Sequence, residues 1–374
     1  MNPARSLCMV TDDFLPAATG VGIHVQTIVE IMAERGLRVS VLTSRRPGQA
    51  AVEYWCGAKI IRVPSMKLLG FHLGFPKAGL IEDIFDQEGI DLVHFHYLGW
   101  MMKTVLRVAR KRKLKCVYTT HMTLGHLTPT RPLRLFLPVL EWGYRRMCRK
   151  LDLIIVPSLH LIPEIQSRTD VPVQYLNNPI RFHKSELAQT LSTKEDPFTV
   201  LFVGRLSAEK NIPFLLRAFA RLHKEFQLCR LWIVGEGREL KSLTIMSRQL
   251  GISEQTVFCG QHSHEELSKF YSKSDVFVLP SLFETHGMVA VEAMRFAKPV
   301  ILTDSIVSAR ELVTPEENGF IVTLNDDEEL CAQLLRLARD RDLGERMGRR
   351  GLKRAQEYDP GQAVDRLLEL YPLA

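Results

Sequence analysis

The chain has 374 residues, 46% of them hydrophobic and 24% charged, a globular balance with material for two hydrophobic cores rather than one. Its net charge of +7 is unevenly spread: residues 1–185 hold 25 Lys and Arg against 14 Asp and Glu, whereas residues 186–374 hold 24 against 28. The basic character therefore belongs to the first half, which is expected to meet a membrane surface, a phosphate-bearing acceptor or nucleic acid. No secretory-signal pattern opens the sequence and no apolar run is long enough to cross a bilayer, so a cytoplasmic setting is expected. The seven cysteines are widely spaced without a C-x-x-C pair, which argues against a disulfide framework or a zinc ribbon and for small buried apolar residues.

In chain order, the first half alternates apolar strand patterns (SLCMVT, LRVSVLT, KIIRVP, DLVHFHY, KCVYTTH, LDLIIVPS) with helical ones, beginning with VGIHVQTIVEIMAERG. Strand followed by helix followed by strand predicts βαβ units on a parallel sheet. The turn FLPAATGVGIHV follows the first strand and brings Gly20 and Gly22 to the start of a helix. There they either let backbone N–H groups approach an anion or merely form a tight turn. It is not a G-x-G-x-x-G element, and no acid ends the second strand, so a dinucleotide site is disfavoured.

Further on, His94 and His96 alternate near the end of one strand, with packing the favoured role for His96. His121 ends the next strand, where it either hydrogen-bonds a sugar hydroxyl or is simply buried. The stretches 107–115 and 131–150 are basic, and the second mixes its cations with aromatic and aliphatic residues. It suits either contact with anionic headgroups or an ordinary amphipathic helix on the sheet. Neither stretch has the aromatic interleaving of a single-strand binder or a recognition-helix motif, so nucleic acid is not expected as a partner.

Residues 175–198, rich in Asn, Pro, Ser and Thr, form the expected linker between domains 1–178 and 179–360. The strand rhythm then restarts with FTVLFVG, RLWIVG, TVFCG, DVFVLPS, KPVILT and GFIV. After the first of these strands, VGRLSAEKN places Arg205 and Lys210 in one short loop, either as solvated cations or as partners of a diphosphate. PSLFETHGMVAVEAM, residues 280–294, carries two carboxylates. Glu284 is expected on the loop before a helix, and Glu292 on its second turn. Gly287 and Met288 would open that helix and offer its first N–H groups to a phosphate or sugar oxygen. Two nearby carboxylates repel unless donors neutralise them, which favours binding of sugar hydroxyls over a purely structural role. A last helical pattern, residues 361–371, has an apolar face of Val364, Leu367, Leu368 and Tyr371.

Taken together, T-G-V-G-I-H, G-R-L-S-A-E-K and P-S-L-F-E-T-H-G-M-V-A-V-E-A-M followed by K-P-V resemble the retaining family-4 glycosyltransferases of the GT-B fold, across nearly the whole chain. The resemblance implies two Rossmann-like doubly wound α/β domains facing across a cleft, with the C-terminal helix crossing back to the first. It implies transfer of a hexosyl or N-acetylhexosaminyl unit from a nucleotide diphosphate sugar to an acceptor hydroxyl of a small molecule, lipid or glycan, without metal or cofactor and with retained configuration. Arg205 and Lys210 match the family's diphosphate-binding cations, Glu284 the carboxylate on the donor sugar and Glu292 the one on the ribose. Gly20 and Gly22 match the turn nearing the phosphate, and His121 the histidine near the sugar. His286 stands where the family usually has an aromatic residue, Thr19 and Ala297 replace usual glycines, and SIVSARELV lacks the usual Gly-Gly before Glu311. The same donor pocket would also suit an epimerase or hydrolase, or a binder without activity.

Overall fold

The structure, a computed structural model, describes residues 6–16, 20–68, 71–121, 137–180, 196–284 and 287–371. It divides into two compact units, Met1–Arg181 together with Pro360–Ala374, and Phe182–Asp359. Most of the stretch expected as a linker, residues 181–195, lies outside the described residues.

In the first unit the strands are β1 (Ser6–Val10), β2 (Arg38–Ser44), β3 (Val52–Trp55), β4 (Ala58–Val63), β5 (Ser65–Leu68), β6 (Phe71–Gly74), β7 (Leu92–Phe95), β8 (Lys115–Thr119), β9 (Leu153–Val156) and β10 (Val173–Tyr175). Helices α1 (Gly20–Glu34), α2 (Ala78–Glu88), α3 (Trp100–Lys111), α4 (Leu137–Cys148) and α5 (Leu161–Gln166) intervene. The main sheet has the order β10-β9-β8-β7-β1-β2-β4-β3. All neighbours run parallel except β3, which pairs antiparallel with β4 at the edge. All five residues of β1 are buried, as expected of a strand covered on both faces. The sequence reading missed β3 and the β5–β6 hairpin: β3 carries exposed Val52 and Tyr54, and the hairpin exposed Met66 and Leu68, so neither has a clean buried alternation.

The second unit contains β11 (Phe198–Val203), a 3₁₀ turn (Ala208–Lys210), α6 (Ile212–Glu225), β12 (Cys229–Val234), α7 (Leu240–Gln249), β13 (Thr256–Gly260), α8 (His264–Lys273), β14 (Val276–Leu279), α9 (Met288–Arg295), β15 (Val300–Thr303), α10 (Ala309–Leu312), β16 (Gly319–Val322), α11 (Asp327–Arg339) and α12 (Arg341–Ala355). Its sheet runs β13-β12-β11-β14-β15-β16, and every pair is parallel. Local chemistry sets several helix starts. Ser263 and Glu266 form a reciprocal capping box on α8, and the Asp326 carboxylate accepts from the N–H groups of Glu328 and Glu329 at the start of α11.

The last helix, α13 (Pro360–Leu370), belongs to the first unit. Val364, Leu367 and Tyr371 are buried with Leu7 and Met9 of β1 and Val25, Ile28, Val29 and Met32 of α1, and Leu368 packs on the same cluster. The apolar face read from the sequence is thus the face that the first unit covers. Burying a side chain of Leu or Val size is worth about 1.5–3 kcal/mol, enough to hold an eleven-residue helix that would not persist alone.

Each sheet reverses its winding once at its middle. In the first, β1 lies between β2 and β7; in the second, β11 lies between β12 and β14. Beyond the carboxyl ends of these strands, ligands of open parallel sheets bind. The segments found there are Thr11–Phe14 and His96 in one unit, and Gly204–Lys210 and Ser281–Glu284 in the other.

Candidate functional site

In the second unit the loop after β11 is held by its neighbour. Gly204 N–H donates to Val234 O at 3.0 Å, Leu206 N–H to Glu236 O at 2.9 Å, and Glu239 N–H back to Leu206 O at 3.1 Å. This close approach needs a glycine: a Cβ at Gly237 would stand 2.1 Å from Leu206 O. The G-E-G at 235–237 therefore buttresses the Arg205 loop, a role the sequence reading overlooked although two glycines closing a strand were visible.

Arg205 is exposed on this loop, and Lys210 ends the 3₁₀ turn. The Lys210 ammonium is ion-paired to the Glu284 carboxylate, with side chains 17% and 24% exposed. Between the two cations, burial would raise the Glu209 carboxyl, yet the Ser207 hydroxyl and a backbone N–H, followed by the charges of Arg205 and Lys210, hold it below the usual range. The Glu284 backbone is pinned as well: its carbonyl accepts from Val307 N–H at 3.0 Å, and the residue forms a parallel bridge with Ile306. Ser281 O accepts from the hydroxyls of Thr303 and Ser305, each at 2.8 Å. The segment 305–313, without its Gly-Gly, thus still packs its backbone on the Glu284 loop.

Gly287 caps α9 in the left-handed region with φ +62°, and a Cβ there would meet Leu279 Cδ2 at 3.2 Å. Met288 is the first helical residue, and Glu292 lies one turn further on. The two glutamates have different partners: Glu284 meets Lys210, whereas Glu292 Oε2 accepts from Tyr271 Oη at 2.7 Å. Burial and the Glu292 charge push the Tyr271 phenol well above its ordinary pKa, so it stays a donor. Tyr271, on α8, carried no motif that would have marked it. His286 lies outside the described residues, as does Thr19.

In the first unit Gly20 and Gly22 are helical residues in the opening turn of α1, neither with positive φ. Among the described residues a Cβ on Gly20 would meet nothing within 4 Å.

Four histidines gather behind this turn. His94 is fully buried, with Nδ1 3.0 Å from Tyr371 Oη and Nε2 2.8 Å from Thr119 Oγ1. Burial, aided by His121, lowers its pKa to about 3. His96 is pushed well below the ordinary value, first by burial and then by His94, His24 and His121. His96 Nδ1 lies 3.3 Å from half-buried His121 Nε2, and His24 from α1 packs its ring against both. The His94 and His96 rings are therefore uncharged hydrogen-bonding surfaces rather than cations. His96, for which packing was the favoured role, is buried against His121, the residue singled out for the sugar.

Asp12, just beyond β1, was also missed. Its Oδ1 accepts from Ser44 Oγ at 2.7 Å and from Gly74 N–H at 2.8 Å, tying the β5–β6 hairpin to the sheet. Burial raises its pKa, against the pull of those two donors, and neighbouring Asp13 adds to the rise.

The two basic stretches differ. On and beside α3, Arg110, Lys111 and Arg112 are paired to Asp152, Glu82 and Asp86. On α4, Val139 and Trp142 are 66% and 65% exposed, and Trp142 lies one turn before exposed Arg145 and Arg146. The Arg146 guanidinium sits 5.7 Å from the Trp142 ring centre. Residues 131–136 lie outside the described residues.

The model described as Glycosyltransferase Family 4 matches residues 18–181, and that described as Glycosyl transferases group 1 matches residues 183–354. An alpha-monoglucosyldiacylglycerol synthase of Streptococcus pneumoniae is 25% identical over 314 residues, 78% of this chain and 70% of that protein. Sucrose-phosphate synthase from Thermosynechococcus elongatus superposes with a TM-score of 0.77 at 20% identity, covering 98% of each chain. Anabaena Alr3699/HepE in complex with UDP and glucose does so with a TM-score of 0.75 at 17% identity, over 99% of this chain and 100% of that one. At such identities the structural likeness speaks for the fold.

Proposed function

This chain belongs to the family-4 glycosyltransferases of the GT-B fold, and we propose that it moves a hexosyl or N-acetylhexosaminyl unit from a nucleotide diphosphate sugar to an acceptor hydroxyl, with retained configuration and without metal. The observation carrying this reading is the Lys210–Glu284 ion pair beyond the carboxyl ends of adjacent strands β11 and β14, with Arg205 on the same loop. Before the donor arrives, the two charges neutralise each other. When a diphosphate takes Lys210, Glu284 is released to accept from the sugar's hydroxyls.

In the step itself, the bond from C1 to the β-phosphate oxygen breaks and the bond from C1 to the acceptor oxygen forms on the same face. The acceptor's proton passes to the departing phosphate. Arg205 and Lys210 stabilise the charge that develops on it, the task a metal ion performs in other transferases. Glu292, held by Tyr271, is assigned the ribose, and Gly287 and Met288 supply helix N-terminal N–H groups. Gly20, Gly22 and His121 are assigned the donor's phosphate and sugar on the strength of the resemblance.

A lipid or cell-surface glycan precursor is the acceptor class this reading favours, with the enzyme peripheral on the inner face of a membrane. Exposed Val139 and Trp142 followed by Arg145 and Arg146 support it, since one apolar turn and one cationic turn suit an anionic interface. The test of the reaction is a panel of sugar nucleotides with lipid and soluble acceptors. Acceptor-dependent product of unchanged anomeric configuration, formed equally in EDTA, is expected. Epimer or free sugar from the donor alone would overturn it. Sedimentation with anionic and neutral liposomes checks the membrane, where W142A is expected to bind less and equal binding to neutral lipid would count against it.

A further inference from the structure

We propose that His24, His96 and His121 form a binding site for one transition-metal ion of zinc's class. Each contributes one ring nitrogen, and these nitrogens all lie within 4.8 Å of one another. The shortest recorded separation, His96 Nδ1 to His121 Nε2, is 3.3 Å. Two nitrogens bound to one tetrahedral zinc at 2.0–2.1 Å stand about 3.3 Å apart, so one edge of the polyhedron is already at its length. The ring centres agree: they are 4.8, 5.5 and 5.6 Å apart, and three imidazoles radiating from one tetrahedral ion put theirs about 5 Å apart.

The three ligands come from three differently anchored elements. His24 lies in the second turn of α1, while His96 and His121 follow the adjacent central strands β7 and β8. The β7–β8 pairing ties two of the three backbones together. His94 does not compete for the ion, because both its nitrogens face other partners, Tyr371 and Thr119. His24 and His96 are only 4% and 1% exposed, and His121 is half-buried.

The donor set decides the ion. Among the described residues the cluster supplies three imidazoles and no carboxylate, a set that suits zinc, nickel, copper or cobalt and not magnesium or calcium. Its consequence for transfer rests on the assignment of His121 to the donor sugar. An ion on that ring withdraws it from the sugar, making the site inhibitory in an enzyme whose proposed reaction needs no metal.

The experiment titrates the chelator-treated full-length protein with zinc by calorimetry and with cobalt by visible absorption, which tetrahedral nitrogen coordination intensifies. One ion per chain is expected, with a zinc-dependent rise in melting temperature. Both are lost in H24N and in H121N, while magnesium gives neither. The second variant covers the case in which the first does not fold, as judged by circular dichroism. Zinc or cobalt binding of unchanged stoichiometry and affinity in both folded variants overturns the site and puts the ion on cysteines or surface histidines. Where transfer is measurable, zinc lowers it reversibly with EDTA, and the H24N variant resists zinc in proportion to its lost binding. An absence of transfer with every sugar nucleotide would defeat the functional reading and leave the metal titration standing.

Discussion

The two units share a parallel-sheet plan yet place opposite chemistry at their central strand ends. In the second unit the loops beyond β11 and β14 carry full charges, Arg205, Lys210, Glu209 and Glu284, with Lys210 and Glu284 already paired. In the first unit, buried His94 and His96 at the end of β7 are held neutral, and the Asp12 carboxylate just beyond β1 is pushed toward its neutral form. The fold therefore does not dictate the chemistry of its crevice; the residues in the first turn after each strand do. Charged groups suit a diphosphate, and neutral donors and acceptors suit hydroxyls.

The sharpest way to break this contrast is to remove charge from the second unit. K210A and R205A should each lower kcat by roughly 10²–10³-fold, the usual cost of deleting one preorganised charge-stabilising group. E284A should spare affinity for the free nucleoside diphosphate while lowering transfer, because its partner Lys210 remains available. Steady-state kinetics with isothermal titration of the diphosphate separates these outcomes. Equal kcat in K210A and the wild type would remove the loop from the reaction.

A subtler change neutralises Glu292 without altering its shape. In E292Q the side-chain oxygen still accepts from Tyr271, so the fold should be kept. A hydrogen bond to a charged group is worth about 1.5–3 kcal/mol, hence a loss of roughly 10- to 150-fold in kcat/KM for the donor. If the loss is the same for a ribose-modified donor as for the natural one, the ribose assignment fails.

How much of this was legible depends on the kind of interaction. The parallel sheets and the C-terminal helix were readable because buried strands and an amphipathic helix leave periodic apolar patterns, as in SLCMV and in Val364, Leu367 and Tyr371. Lys210 and Glu284 were readable singly, each in a motif. Their pairing was not, since 74 residues separate them and only the β11–β14 adjacency brings them together. Tyr271, Asp12 and His24 were missed because each acts through contacts with residues far away in the sequence, which no local pattern marks. The basic run 107–115 looked like a surface for anions. Only the fold showed Arg110, Lys111 and Arg112 matched by Asp152, Glu82 and Asp86.

In the first unit, polar truncation should act on stability. D12A strands the Ser44 hydroxyl and the Gly74 N–H, costing about 1–3 kcal/mol. D12N keeps an acceptor oxygen and should cost less. The pH dependence has a definite sign. Asp12's folded pKa is raised above its unfolded value, so the native state binds its proton more tightly. The stability this contributes is full below the ordinary carboxylate range and is lost as pH rises through the raised value. Melting curves of wild type and D12N from pH 4 to 8 should therefore shift in favour of the variant as pH increases. A constant difference would show that Asp12 is ordinary in its titration.

The smallest effect expected is at Tyr371, where the last helix touches the histidine group. Its hydroxyl faces His94 Nδ1, and its ring, 4% exposed, lies in the apolar cluster with Val364 and Leu367. Two forces thus hold the end of the chain on the first unit, and they can be separated by size. Y371F keeps the ring and removes one buried hydrogen bond, a loss of about 1 kcal/mol. L367A removes a fully buried side chain and should cost about 2–5 kcal/mol. Denaturant unfolding that ranks L367A well above Y371F would show apolar burial as the main attachment. The reverse ranking would mean that the helix is held through His94, so that its docking and the arrangement of the histidines depend on one another.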